Sequence, residues 1–221
     1  MTKDITILIP AYYEAPRIEK VLEVVTNYQK DTRIIVIDDG SPDHTSENAS
    51  KFPVEVIKHN QNLGKGSALQ SGIKYVDERD RSPYWVFLDA DLINLEKQHI
   101  DKLLKPLEKD NTIGMSVGMF SEGGKLRVDL AQKYFGILNG QRALSREFVN
   151  KLPDLTWCRF GVEIFLSKYA KAMSIPVAYP VLEGITHHTK EEKFGLIKGV
   201  LYRIQMYHEC LKALFTWRKN I

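Results

Sequence analysis

Tyr84-Trp85-Val86-Phe87-Leu88-Asp89-Ala90-Asp91-Leu92 is an apolar run that stops at two acids. Aromatic and β-branched residues in an unbroken run of this length read as a strand covered on both faces. Side chains repeat every second residue along extended backbone, so Asp89 and Asp91 leave it on the same side. Two close carboxylates repel, and one tends to protonate unless a cation sits by them. Mg2+ or Mn2+ removes that conflict, because a hard dication takes one or two carboxylates together with substrate phosphates. The plainer alternative is an acidic helix cap or surface turn, and the surroundings of the pair decide between the two.

Upstream, the same strand-like pattern recurs at Ile5–Ile9, Ile34–Ile37 and Val54–Ile57. Between these runs lie amphipathic stretches with helical spacing: about 17–29, with Ile18, Val21, Leu22 and Val25 on one face, about 66–76, and, after the acidic pair, about 97–107. Strands alternating with helices predict an α/β fold with a mostly parallel, Rossmann-like sheet flanked by helices. Ligands of such sheets bind beyond the carboxyl ends of the strands. Three polar turns fall there: Tyr12-Tyr13-Glu14, Asp38-Asp39-Gly40-Ser41 and Asp89-Ala90-Asp91.

Downstream the pattern is less regular. Ile113–Gly118 reads as a strand, Ser121-Glu122-Gly123-Gly124 as a loop and Glu163–Met173 as a helix. Ile175–Leu182 reads as one strand, interrupted by Pro176 and Pro180 and therefore edge or bulged. The tail from about Glu191 to Arg218 has helical spacing. No linker or repeat divides the chain, so residues 1–190 are expected to form one domain and 191–221 a C-terminal helical extension of it.

Composition narrows the partners. Of 221 residues, 43% are hydrophobic, enough for a full core, and 31 Lys and Arg against 28 Asp and Glu leave a formal charge of +3. That balance gives no reason to expect nucleic acid. It suits phosphorylated small substrates, which need only a local basic pocket. Cys158 and Cys210 lie too far apart for a CxxC motif and read as reduced, packed thiols of a cytoplasmic protein. No stretch approaches the ~18 apolar residues of a membrane span.

Three further groups carry chemistry. Asn62-Leu63-Gly64-Lys65-Gly66-Ser67 is a glycine-rich loop opening a helix, where backbone amides favour anions and Lys65 reaches toward a diphosphate. Glu163, among apolar residues at a helix start, is either a cap or a partly desolvated acid or base. His187 and His188 follow a strand and a glycine. From adjacent extended positions only one of them points into a given site, and a neutral imidazole binds Mn2+ well enough to complete a site begun by two aspartates.

Ile9-Pro10-Ala11-Tyr12-Tyr13-Glu14, Val36-Ile37-Asp38-Asp39-Gly40-Ser41, Gly64-Lys65-Gly66 and Asp89-Ala90-Asp91 follow one another in the order seen in family 2-like glycosyltransferases with the GT-A fold, which this chain resembles. In the second half, Gly123-Gly124 with Arg127-Val128, Leu138-Asn139-Gly140 with Arg146-Glu147, Gly161-Val162-Glu163-Ile164, and Gly184 to His188 resemble glucosyl-3-phosphoglycerate synthases and their mannosyl relatives. The resemblance implies a GT-A fold and hexose transfer from a UDP- or GDP-sugar. The acceptor it implies is phosphorylated or carries a hydroxyl, such as 3-phosphoglycerate. It implies that Pro10, Ala11, Tyr12, Glu14 and Asp39 hold the nucleoside, and that Gly64, Lys65, Asp89 and Ala90 line the diphosphate. Asp89, Asp91 and His188 would hold Mg2+ or Mn2+. Arg127, Gly140, Arg142 and Glu163 would face the acceptor, with Glu163, Asp91 and Lys65 as the catalytic set. A homodimer is a further expectation of the resemblance.

Polyprenyl-phosphate sugar synthases share the fold and the first-half motifs, which makes a lipid phosphate the alternative acceptor. The tail supports that alternative in part. From Lys193 to Ile221, Lys193, Lys198, Arg203, Lys212, Arg218 and Lys219 stand against Glu209 alone, with Ile197, Leu201, Ile204, Leu211 and Phe215 at helical spacing. Such a helix either packs on the domain or lies on the inner, anionic face of a membrane. A haloacid-dehalogenase-like phosphatase is disfavoured, because its acidic pair belongs near the first strand and Leu92 follows the pair here. A non-catalytic nucleotide-sugar binding module shares the donor motifs and is separated from an enzyme by turnover.

Overall fold

The computed structural model describes residues 3–76, 81–121, 139–188, 192–193 and 195–220. Arg127 and the expected loop beyond Ser121 lie outside them. The first half follows the predicted alternation: β1 Ile5–Ala11, α1 Ile18–Thr26, β2 Thr32–Asp38, α2 Thr45–Ala49, β3 Glu55–Lys58, α3 Lys65–Tyr75 and β4 Tyr84–Phe87. Then come β5 Leu92–Ile93, α4 Lys97–Lys109, β6 Met115–Val117, β7 Met119–Ser121, β8 Arg142–Ser145, α5 Arg146–Asn150, a 3-10 helix Thr156–Gly161 and α6 Val162–Ala172. The short strands β9 Val177–Ala178, β10 Val181–Glu183 and β11 Thr186–His187 precede the helix α7 Leu196–Thr216.

A seven-stranded sheet runs in the order β3-β2-β1-β4-β8-β6-β9. The β1–β2, β1–β4, β2–β3 and β6–β9 pairs are parallel, and β8 alone runs against its neighbours β4 and β6. Pro10 is accommodated in β1 because the ladder to β4 ends at Leu8 opposite Phe87. The alternation of side chains sorts each strand onto two cores. Ile5, Ile7, Ile9, Ile34, Val36 and Val86 meet α1 and α4 on one face. Leu8, Ile35, Ile37, Trp85 and Phe87 meet α3 and α6 on the other. Gly72 lets α3 approach the sheet closely, since a Cβ there would lie 2.9 Å from Ile37 Cδ1.

Two segments differ from expectation. The run 175–182 is two strands: β9 joins β6 in the main sheet, and after Pro180 the chain moves away to pair β10 with β7. The run 113–118 likewise divides into β6 and β7 at Gly118, where a Cβ would collide with Leu182 at 2.4 Å. The antiparallel strand β8, with only four residues, has no run long enough to announce it in the sequence.

Candidate active site

The polar turns after β1, β2 and β4 meet at one edge, as the parallel order requires. Asp89 and Asp91 follow β4, and the chain then pairs β5 antiparallel with β11, placing Leu92 opposite His187 and Ile93 opposite Thr186. This pairing brings the histidine segment to the acidic turn. His187 packs its ring 5.9 Å from Phe120, and His188 Nδ1 lies 3.6 Å from Glu192 Oε2. Ala90, between the two acids, packs into the core as Ala11 does, so both offer a ligand their backbone rather than their side chains.

Lys65, the first residue of α3, spans the site. Its Nζ lies 2.5 Å from Asp89 Oδ1 and 2.5 Å from Glu163 Oε1. Burial alone would lower the pKa of this ammonium, but the two carboxylates hold it above the usual lysine range. Gln141 donates from Nε2 to Asp89 Oδ2 at 2.9 Å, fixing the carboxylate from its other side. Gly140 closes over the pair so tightly that a Cβ there would stand 2.6 Å from both Asp89 Oδ2 and Lys65 Nζ. Glu163 sits in the first turn of α6, buried, with Lys65 on one oxygen.

A second lysine does the same for the other two acids. Lys193 Nζ contacts Glu14 Oε1 and Asp91 Oδ2, and its side chain is only 4% exposed. Burial raises the Glu14 pKa and Lys193 works against that rise, while Arg17 pairs with Glu14 Oε2 at 3.0 Å. Lys193 was invisible as a site residue in the sequence, where it is one of several basic residues of the tail.

Asp39 is held within its own chain. Its carboxylate accepts from Leu63 N at 2.9 Å and Gly64 N at 2.7 Å, and contacts His59 Nδ1 at 2.8 Å. It therefore holds the glycine-rich loop in place from beneath. Gly64 takes φ 94°, a left-handed conformation that favours glycine. Arg159 locks the same loop from above: Nη1 donates to Leu63 O, Nη2 to Asn62 Oδ1, and Nε to Glu209 Oε1 of α7 at 2.9 Å. Arg159 itself adopts φ 46°, a strained backbone for a non-glycine residue. Neither His59 nor Arg159 belongs to a motif, and no sequence spacing singled them out.

Arg142, expected toward the acceptor, is instead wholly buried. Its guanidinium donates to Asn139 O and Glu163 O, both at 2.9 Å, and to Ser167 Oγ at 3.1 Å. It anchors the start of α6, and through it Glu163. Tyr12 stands edge-on to Tyr13 and beside Tyr202 of α7, so the first-strand turn touches the C-terminal helix. Burial pushes the Cys210 thiol up to about 12, and Cys158 is raised further, which makes both packed and unreactive.

The ligand set expected for a metal is only partly gathered. Among the described residues no three of His, Cys, Asp and Glu are close enough to hold an ion, so Asp89, Asp91 and His188 do not form one group. The chemistry at Asp91 nevertheless fits a hard cation, because the Lys193 ammonium already stands as one between Asp91 and Glu14.

A mostly parallel sheet with an acidic turn and a helix-borne lysine at its carboxyl edge defines the class: a GT-A-type α/β protein. The model of glycosyl transferase family 2 matches residues 6–165. The chain belongs to that family. It is 30% identical over 128 residues to a dolichol-phosphate mannosyltransferase of Pyrococcus furiosus, covering 55% of this chain and 35% of that protein. It is 28% identical over 216 residues to a dolichyl-phosphate β-glucosyltransferase of Dictyostelium discoideum, covering 79% and 64%. The crystal structure of glucosyl-3-phosphoglycerate synthase from Mycobacterium tuberculosis, with Mn2+, UDP and glucosyl-3-phosphoglycerate, matches with a TM-score of 0.77 at 22% identity, covering 97% of this chain and 80% of that one. The chain spans less than half the length of the first curated relatives it matches.

Proposed function

We propose that this chain is a glycosyltransferase that moves a hexose from a nucleotide sugar, of the UDP-glucose or GDP-mannose type, to a phosphorylated or hydroxyl acceptor. The observation that carries the proposal is the Lys65 bridge, one ammonium tied to Asp89 on the donor side and to Glu163 on the acceptor side. Family membership and the likeness to glucosyl-3-phosphoglycerate synthase support it. That synthase holds a divalent metal in its crystal structures with Mn2+ and with Mg2+.

Asp91, assisted by Asp89, would hold Mg2+ or Mn2+. The bound ion would supply Lewis-acid stabilisation of charge on the departing diphosphate. Lys65 adds its fixed charge to that stabilisation, and the amides opening α3 point to the same edge. Asp39 and Arg159 keep the glycine-rich loop in the shape that presents those amides. Glu163, held by Lys65, accepts a hydrogen bond from the acceptor hydroxyl and aligns it. Pro10, Tyr12 and Glu14 line the nucleoside end.

A lipid phosphate is the second acceptor reading. It is favoured by the exposed apolar face of α7 and by the two relatives named for dolichyl phosphate. The protein then works in the cytoplasm or against the inner face of a membrane. Among the described residues no helix is long and apolar enough to cross one.

The test is donor hydrolysis, which needs no acceptor. Purified protein is expected to cleave UDP-glucose or GDP-mannose only with Mn2+ or Mg2+, and Asp91→Asn is expected to lose at least about 100-fold. Full activity in excess EDTA, or in Asp91→Asn, would sink the proposal.

A further inference from the structure

The glycine-rich loop that opens α3 is packed against the 3-10 helix as well as tied to Asp39. A Cβ on Gly64 would lie 2.9 Å from Arg159 Cβ, and one on Gly66 would lie 2.3 Å from Leu155 O and 3.1 Å from Arg159 N. Arg159 therefore walls the loop, in addition to donating to Leu63 O and Asn62 Oδ1. It does so from a backbone at φ 46° and ψ −118°, inside the 3-10 helix. Such a conformation is costly for a residue with a Cβ and persists only where its surroundings over-determine it.

That surplus of restraint comes from α7. Glu209 gives its carboxylate to three hydrogen-bond donors. Oε1 accepts from Arg159 Nε at 2.9 Å and from Gln205 Nε2 at 3.1 Å, and Oε2 accepts from Phe160 N at 3.2 Å. The Glu209 side chain is 11% exposed, so water competes little for these bonds. The Phe160 amide directly follows the strained residue. One carboxylate thus fixes both the kink and the direction in which the guanidinium leaves it, and the remaining guanidinium nitrogens are aimed at the loop. We infer that Glu209 is a positioning residue for the nucleotide sugar: acting through Arg159, it holds the loop 62–66 in its binding shape before the ligand arrives. Glu209 lies beyond residues 6–165, the part that the family model matches, so this support is supplied to the site from outside the matched region.

The consequence for the reaction rests on the glycosyltransferase reading. Neutralising Glu209 takes neither the loop amides nor Lys65 away from a bound nucleotide sugar. It removes the ordering of the loop in advance, and the ligand must then supply that ordering from its own binding energy. Once the ligand is bound, the loop is back in place. The loss therefore falls on affinity and not on turnover, which is the pattern of lost ground-state binding. Asp39 still holds Leu63 N and Gly64 N from beneath, so the loop is loosened rather than released. One charge-assisted hydrogen bond sets the scale, about tenfold in affinity.

Two substitutions test the link from its two ends. Glu209→Gln keeps the size of the side chain but leaves a single oxygen to serve hydrogen-bond donors on both sides. Arg159→Lys keeps the charge but lacks the fork that reaches Asn62, Leu63 and Glu209 together. In either protein without ligand, amide hydrogen exchange is expected to quicken about tenfold across residues 62–68 and to stay unchanged in β1 and β4. In hydrolysis of UDP-glucose or GDP-mannose with Mn2+, KM is expected to rise about tenfold while kcat stays within about threefold of the unaltered protein. The double substitution is expected to do no more than the stronger single one, because the two residues act in series. Unchanged exchange across 62–68 in both variants overturns the inference, as does a fall in kcat at constant KM or a product of the two effects in the double variant. Exchange that quickens equally in β1 and β4 also overturns it, since that is general destabilisation. If the unaltered protein hydrolyses neither nucleotide sugar, the glycosyltransferase reading fails, and the exchange measurement still decides whether Glu209 positions the loop.

Discussion

Gly140→Ala is the sharpest probe of the lysine bridge. The added methyl would stand 2.6 Å from Asp89 Oδ2, 2.6 Å from Lys65 Nζ and 2.8 Å from Asp89 Oδ1. Ordinary contact begins near 3.5 Å, so the two charged groups must retreat by roughly 1 Å. The bridge they form is 2.5 Å long and does not survive a shift of that size. The atoms that move are the ends of flexible side chains, and the Gly140 backbone is not in the left-handed region, so the fold accommodates the methyl. Stability is therefore expected to fall by no more than the bridge contributes, about 1.5–3 kcal/mol, which leaves the protein folded. The lost interaction is a charge-assisted hydrogen bond worth about 1.5–3 kcal/mol. If it acts in the transition state, donor hydrolysis and transfer fall about 10- to 100-fold in kcat. Steady-state kinetics on the nucleotide sugar, with a denaturant titration beside them, measure both quantities. In Lys65→Ala the methyl has no ammonium to displace, so adding Gly140→Ala is expected to cost much less than it does alone. Full activity in Gly140→Ala refutes the role of the bridge. An activity loss matched by global unfolding refutes the claim that the methyl acts locally.

Two more outcomes follow from the packing and the charges. Gly161→Ala drives a methyl into Ala213 Cβ at 2.3 Å and toward Glu209 O at 3.0 Å, so stability is expected to drop by about 1–3 kcal/mol, with faster amide hydrogen exchange concentrated in α7; the added substitution Ala213→Gly should restore both, and protection unchanged by Gly161→Ala would disprove the docking contact. Lys193→Met removes the ammonium between Glu14 and Asp91, so the metal-free protein is expected to lose about 3 kcal/mol of stability while Mn2+ alone binds at least about tenfold more tightly by calorimetry; equal Mn2+ affinity in both proteins would show that Lys193 does not compete for the cation place.

The parts of the molecule that were legible in the sequence are those fixed by local pattern. Ile5, Ile7 and Ile9 against Leu8, or Val86 against Trp85 and Phe87, show the period of two that sorts each strand onto two cores. The turns after β1, β2 and β4 carry polar residues because that edge is where backbone ends and ligands begin. What pattern cannot supply is the partner chosen across the fold. Asp39 reads as a ligand contact, and local pattern gives no sign that its oxygens also accept from amides 24 and 25 residues away. Arg142 reads as a cation for an acceptor, yet one strand pairing turns it inward onto the carbonyl of Glu163. Lys193 is one basic residue among many until the return of the chain past β11 carries it to Asp91, 102 positions away. The run 175–182 divides between two sheets for a related reason: proline marks where a strand must stop hydrogen bonding but not which sheet it joins next.

The two lysines give the site a resting state that is balanced from within. Glu14, Asp89, Asp91 and Glu163 are four acids brought to one edge, and Lys65 and Lys193 each bridge two of them. Lys65 is embedded between rigid neighbours, with Gln141 and Gly140 closing on Asp89 and Arg142 anchoring the turn that carries Glu163. Lys193 is tied to the site through its ammonium and comes from the chain leading into α7. It is the pair that can exchange. A dication arriving alone must displace an ammonium that two buried carboxylates hold, and it leaves that ammonium without an anion. A dication arriving with a nucleoside diphosphate brings one, so the displaced Lys193 and the ion both keep a partner. Metal and donor are then expected to favour each other's binding, and thermodynamic linkage makes the effect equal in both directions. The same logic makes Asp91, rather than Asp89, the acid whose loss is expected to remove the cation: Asp89 is committed to Lys65 and Gln141, whereas Asp91 faces Lys193, the charge that a dication would exchange with.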